Sequence, residues 1–315
     1  MNESTSDQSA TRLSSSKSIR DPQSPMRWSP KRIGWRLGRI VGLIYLGLCI
    51  LLFAFQDYLI FPGRNTQGAK HAVIRESTEG HYELVRLTTS RGDKTVAYFG
   101  SAQDANGQRR ADASAQPTML FFYGNGMCLS DCIGLVHSFQ KLGINVLGAE
   151  YVGYGMSTGK SSETTLYETA DACWDHLQTR TDIDRNKIIL AGWSLGGAVA
   201  IDSATRRPAI GLITFSAFTS MNTMARRTVP WLPTSLMLRH RFENLEKIRR
   251  IRCPIFIAHG TQDRIIPFEM CGELARAAKR SPRVTTIALD SDHNDVFETQ
   301  EAVYEPLQKF IDSLW

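Results

Sequence analysis

Three regimes of apolar and polar positions follow one another along the chain. Residues 1–32 set only a few apolar side chains among Ser, Thr, Arg and Pro, too few to bury a core, and are expected to be disordered. The stretch "IVGLIYLGLCILLFAF", residues 40–55, is uncharged and apolar on every side of a helical wheel. From residue 63 onward, short apolar runs alternate with helix-length amphipathic segments.

In that third regime, "YELVRLTT" (82–89) and "TVAYFG" (95–100) alternate like strands exposed on one face. The polar stretch after them, through residue 117, reads as a surface loop. Continuous apolar runs then follow at 118–122, 145–150, 187–192, 211–218, 254–260 and 284–289. Helical segments are expected between them near 128–142, 162–179, 195–206, 234–250 and 267–280, with one more closing the chain. Continuous apolar strands separated by helices predict an α/β domain over 63–315, a mostly parallel sheet with helices on both faces and an antiparallel edge made by the first two strands. No internal repeat is visible.

A helix over residues 40–55 spans about 24 Å, short of a hydrocarbon core of about 30 Å. Extending it to 35–58 makes up the difference, because Arg36 and Arg39 can snorkel. The segment is therefore expected to be a transmembrane anchor. Its rivals are a cleaved signal peptide, which would begin much earlier and end at small residues, and a core helix, which would show a polar face.

The formal charge of +6 belongs almost wholly to the tail: residues 1–39 carry eight Lys or Arg against three acidic residues. The folded part is nearly neutral, which removes the main support for a nucleic-acid partner. Within twenty residues of the apolar segment, six basic residues precede it and three follow. That bias places the N-terminus in the cytoplasm and the domain after residue 58 on the opposite side. The six cysteines form neither a disulfide framework nor a metal-ligand spacing, and Cys128 and Cys132 are expected to be buried, unpaired thiols.

In an open α/β sheet, reactive groups sit at the carboxyl ends of strands. There the chain reads Gly192-Trp193-Ser194-Leu195-Gly196, with an aliphatic strand before it and a small-residue helix after it. A Gly-x-Ser-x-Gly pattern is weak alone, but strand, tight turn and helix are the context that a nucleophilic serine needs. A hydroxyl also needs a base and an orienting acid. His71 and His81 precede the core strands, His137, His176 and His240 fall in expected helices, and His259 is placed to support a turn. His293, in the loop after the last strand, remains as the base, and Asp263, after the preceding strand, is the matching acid. The backbone N–H groups of Asn125, in "YGNG", and of Leu195 are the expected oxyanion donors.

With these residues, the chain from about residue 56 to its end resembles the α/β-hydrolase superfamily. It is most similar to single-pass, membrane-anchored serine hydrolases related to lysophospholipases, monoacylglycerol lipases and acyl-protein thioesterases. The resemblance rests on the elbow and on "YVGYGMSTG", "FSAFTSM", "HGTQDRIIP" and "DHNDVF" in that order. It departs at Tyr123-Gly124-Asn125, where relatives usually have His-Gly-Asn; the backbone donor survives this change, whereas the anchoring of the loop does not follow from it.

The expected protein thus has a disordered tail (1–32), a membrane anchor (35–58) and an α/β-hydrolase domain (63–315) with a short cap about 220–250. Trp231, Leu232, Leu236 and Met237 in that cap are expected either to wall the site near Ser194 or to be packed inside. The expected activity is hydrolysis of an acyl ester or thioester of a small or lipid-like substrate, without metal or organic cofactor. An aminopeptidase-like enzyme would need an acidic subsite for the substrate amine, and a non-catalytic scaffold would have no use for Ser194, Asp263 and His293. Dehalogenase and epoxide-hydrolase chemistry needs a carboxylate where Ser194 stands.

Overall fold

A computed structural model describes residues 30–75, 82–298 and 300–315. The expected disordered tail lies, up to residue 29, outside the described residues. The chain divides into two compact units, one ending at Leu48 and one running from Cys49 to Trp315. Helix α1 (Pro30–Ile60) runs through the boundary as one 31-residue helix. At about 1.5 Å per residue it measures roughly 46 Å, longer than a hydrocarbon core. Its most apolar window is not buried at all, so it is no core helix, and Lys31–Ile60 is a candidate transmembrane segment.

The second unit is built on eight strands: β1 (Tyr82–Thr88), β2 (Lys94–Gly100), β3 (Thr118–Phe122), β4 (Asn145–Ala149), β5 (Ile188–Trp193), β6 (Gly211–Phe215), β7 (Ile255–Gly260) and β8 (Val284–Leu289). They form one sheet in the order β1-β2-β4-β3-β5-β6-β7-β8. The β1–β2 and β2–β4 pairs are antiparallel and all others parallel. Strands β3 to β7 are buried along their whole length, which is why they read as unbroken apolar runs.

The remaining helices are α2 (Ile133–Gln140), α3 (Glu163–Thr179), α4 (Leu195–Ala204), α5 (Met221–Thr228), α6 (Thr234–Met237), α7 (Asn244–Ile248), α8 (Glu269–Ala277) and α9 (Gln300–Asp312). Helices α2 and α9 share one face of the sheet, where Phe139 meets Phe121, Phe215 and Tyr304. Helices α3 and α4 pack against each other on the opposite face, over β5.

The cap departs from the expected single helix at 234–250. It breaks into α6 and α7 because side chains from elsewhere capture the backbone between them. Arg239 N–H donates to Gln56 Oε1 at 2.8 Å, and the N–H groups of Arg241 and Phe242 donate to Glu163 at 2.6 and 3.0 Å. Donors engaged in this way are lost to a helical ladder. His240 therefore lies in this joint and not in a helix, its Nε2 2.9 Å from Asp57 and its Nδ1 accepting from Glu163 N–H. The turn of helix that sequence reasoning missed, α5, begins where Ser220 Oγ accepts from Thr223 N–H.

Immediately after β4, Glu150 is completely buried. It accepts from Tyr123 O–H and, at 3.3 Å, from Leu129 N–H. Burial outweighs these donors and pushes its carboxyl up to about 7 from an ordinary 4.5. A carboxyl raised on folding stabilises the folded state fully below its unfolded value and loses that contribution as pH rises through its folded value. The difference corresponds to roughly 3 kcal/mol. Thermal unfolding of the detergent-solubilised protein should therefore show stability falling between about pH 5 and pH 8, and Glu150→Gln should flatten that decline. An equal decline in the variant would assign the slope to other groups.

Candidate active site

The turn from β5 into α4 places Ser194 in the left-handed region, at φ 55° and ψ −116°. Two backbone bonds hold it there: Ser194 N–H donates to Phe215 C=O at 2.8 Å, and Gly197 N–H donates to Ser194 C=O at 3.0 Å. The flanking glycines are sterically required. A Cβ on Gly192 would stand 2.1 Å from Gly196 O, and one on Gly196 would stand 2.0 Å from Phe122 O. Strand and helix thus cross at backbone contact, and the serine side chain projects from the carboxyl end of the sheet.

His293 and Asp263 meet Ser194 there. The loop after β8 brings His293 Nε2 to 3.0 Å from Ser194 Oγ, and the loop after β7 brings Asp263 Oδ2 to 2.7 Å from His293 Nδ1. Asp263 also accepts from Ile265 N–H at 2.9 Å and Ile266 N–H at 2.7 Å. Although burial opposes the charge, these donors, with His259 and His293, hold its carboxyl well below the usual carboxylate range. An ionised Asp263 only accepts, so Nδ1 of His293 carries the proton and Nε2 is left to accept from Ser194 O–H. His259 is fully buried; it donates from Nε2 to Ile266 C=O at 2.8 Å and lies 3.3 Å from Asp263 Oδ2. It supports the acid's turn, as the sequence suggested.

A cavity of about 360 Å³ opens over Ser194, lined among others by Gly124, Asn125, Trp193, Ile265 and His293. Asn125 thus stands beside the serine, and its side chain accepts from Tyr154 O–H at 3.4 Å. Leu195 is the first residue of α4, where N–H groups have no intrahelical partner. Tyr123, in the place of the usual histidine, anchors the loop in another way. Its hydroxyl donates to Glu150, and its carbonyl accepts from Tyr151 O–H at 2.7 Å.

Sequence reasoning missed several supports. Asp292 ties the acid and base loops together, accepting from Arg264 N–H at 3.0 Å and His293 N–H at 2.7 Å. Gln56 and Asp57 look like the polar end of an anchor in sequence, yet Gln56 is buried and its amide donates to Met237 C=O at 3.2 Å. Asp57 pairs with Arg239 at 2.9 Å. The cap does not wall the serine as one of the expectations had it: Trp231 is half exposed and Leu236 is 85% exposed. Leu232 and Met237 line a separate cavity against α1.

All six cysteines are free thiols; Cys49 and Cys253 are partly exposed and the other four buried. Ligand atoms of His71, Cys128 and Asp131 approach within 4.8 Å of one another, a grouping that sequence spacing concealed. Local structure accounts for it, since Asp131 caps its own turn by accepting from both the N–H and the S–H of Cys128.

Residues 113–248 match the family described as Serine aminopeptidase, S33. Alpha/beta hydrolase domain-containing protein 17B of Xenopus laevis is 32% identical over 234 residues, which cover 73% of this chain and 75% of that protein. Alpha/beta hydrolase domain-containing protein WAV2 of Arabidopsis thaliana is 29% identical over 282 residues, 84% of this chain and 89% of that one. Among solved structures, the Pyrococcus furiosus esterase PF2001 superposes with a TM-score of 0.60 at 17% identity, over 77% of this chain and 94% of its own. A Mycobacterium tuberculosis puromycin-hydrolyzing peptidase reaches 0.58 at 16% identity, over 74% of this chain and 39% of its own. With these relatives and this sheet, the chain belongs to the α/β-hydrolase superfamily.

Proposed function

We propose that the protein is a membrane-anchored serine hydrolase that cleaves an acyl ester or thioester through an acyl-enzyme. The observation that carries this reading is the unbroken bonded chain from Ser194 through His293 to Asp263 on a strained elbow. Ser194 Oγ attacks the acyl carbonyl carbon while its proton passes to His293 Nε2. Asp263 stabilises the imidazolium so formed, and the N–H groups of Asn125 and Leu195 receive the charge that develops on the carbonyl oxygen. As the tetrahedral intermediate collapses, the C–O or C–S bond breaks and the leaving alcohol or thiol takes the proton from His293. Water then repeats the sequence on the acyl-serine, releasing the acid.

The aminopeptidase description of the matching family supports a second reading. A free substrate amine calls for a carboxylate beside the nucleophile. Among the described residues lining the cavity over Ser194, none is acidic, which favours the ester or thioester. The anchor reading rests on Lys31–Ile60, and the excess of basic residues before its uncharged stretch 40–55 supports a cytoplasmic N-terminus with the hydrolase unit on the other side.

A fluorescent fluorophosphonate should label the detergent-solubilised protein at neutral pH and leave Ser194→Ala unlabelled. Equal labelling of the two would place the reactive nucleophile elsewhere. Asp263→Asn, assayed at a temperature where circular dichroism shows it folded, should lower kcat on a p-nitrophenyl ester by roughly 10³- to 10⁴-fold, because the imidazole loses its orienting anion. A loss below about tenfold would remove Asp263 from the assigned role.

A further inference from the structure

The last three turns of α1 are apolar on two sides for two different reasons. Cys49, Leu52, Gln56 and Ile60 recur at helical spacing and turn inward onto the hydrolase unit, partly or fully buried. Ile50, Leu51, Phe55 and Tyr58 remain exposed on the outer side. An outer face of this composition, continuing an apolar helix, suits hydrocarbon better than water.

Between these turns and the cap lies a cavity of about 370 Å³, within the size range of small-molecule sites. None of its lining side chains is charged, and three are methionines, Met221, Met224 and Met237. Its polar groups are already engaged. Gln56 donates to Phe53 and Met237 carbonyls and accepts from Arg239 N–H, Thr228 Oγ1 bonds to Met224 C=O, and Thr234 Oγ1 bonds to Asn222. What it offers an occupant is therefore hydrocarbon, with flexible thioethers that adapt to a chain of variable shape.

The linings of this cavity and of the one over Ser194 come within two residues of each other along the chain. Ile60 lines the first and Pro62, two residues on, lines the second. On the other side, Met224 and Thr228 also line a cleft that contains Asp263 and Ile265, and Ile265 borders the space over Ser194. We propose that the cavity between α1 and the cap is the acyl-chain site, filled by a long hydrocarbon chain drawn from the lipid layer while its carbonyl lies at Ser194. The inference rests on the serine-hydrolase reading and adds to it the substrate class: long acyl chains of membrane-resident esters or thioesters.

Inactivation rates of the full-length protein with ethyl and dodecyl fluorophosphonates, measured in one lipid nanodisc preparation, separate the two ideas. In the wild type the dodecyl reagent should react at least about tenfold faster, the gain expected from burying only two methylenes. Ala225→Trp, which fills the cavity, should bring the ratio to about one while the ethyl rate stays within about twofold. If Ala225→Trp slows both reagents together, Val229→Trp on the same wall supplies the deciding ratio. A wild type without chain-length preference, or filled variants that keep the preference, would overturn the acyl-chain site and leave the hydrolase reading standing. A wild type that reacts with neither reagent would overturn both.

Discussion

The site depends on one steric constraint: α4 starts in backbone contact with both β5 and β3, so that no side chain fits at Gly192, against Gly196, or at Gly196, against Phe122. That contact forces Ser194 into a conformation that an L-residue adopts only under strain, about 1–3 kcal/mol for such a residue. The surrounding bonds to Phe215 and Gly197 offset it. With Ser194 fixed by backbone, Asp263 and His293 need only reach it from neighbouring strand ends. Asp263 follows β7 and His293 follows β8, and these two strands pair in register from Ile255 to Gly260. Asp292 then locks the two loops to each other.

Much of this was legible in the sequence because burial writes itself into composition. Strands covered on both faces admit only apolar residues, so β3, β5 and β7 stood out as runs. The elbow was legible because its steric demand selects glycine at two fixed positions. The cap was not legible. The stretch 234–250 has helical composition, but its backbone donors are taken by Gln56 and Glu163, which lie 183 and 78 residues away from Arg239 and Arg241. No local pattern encodes partners at that separation. Tyr123 posed a similar problem: its partner Glu150 stands 27 residues away, so the replacement for the usual histidine became clear only from the fold.

The same joint gives α1 a second role. Gln56 and Asp57 fasten its last turns to the cap through Met237, Arg239 and His240. The compact hydrolase unit accordingly begins at Cys49, earlier than the expected boundary at residue 63. In the proposed account the helix that anchors the protein also forms one wall of the substrate site, which couples the position of the membrane to the position of the acyl chain.

The central claim is that Ser194 carries the acyl group during turnover. Rapid-quench mass spectrometry of the full-length protein mixed with a p-nitrophenyl ester, followed by peptide mapping, tests it most directly. A burst of about one p-nitrophenol per protein is expected, matched by one acyl group on the peptide that contains Ser194. Product release with the protein mass unchanged at every time, or an acyl group on a different residue, would contradict it.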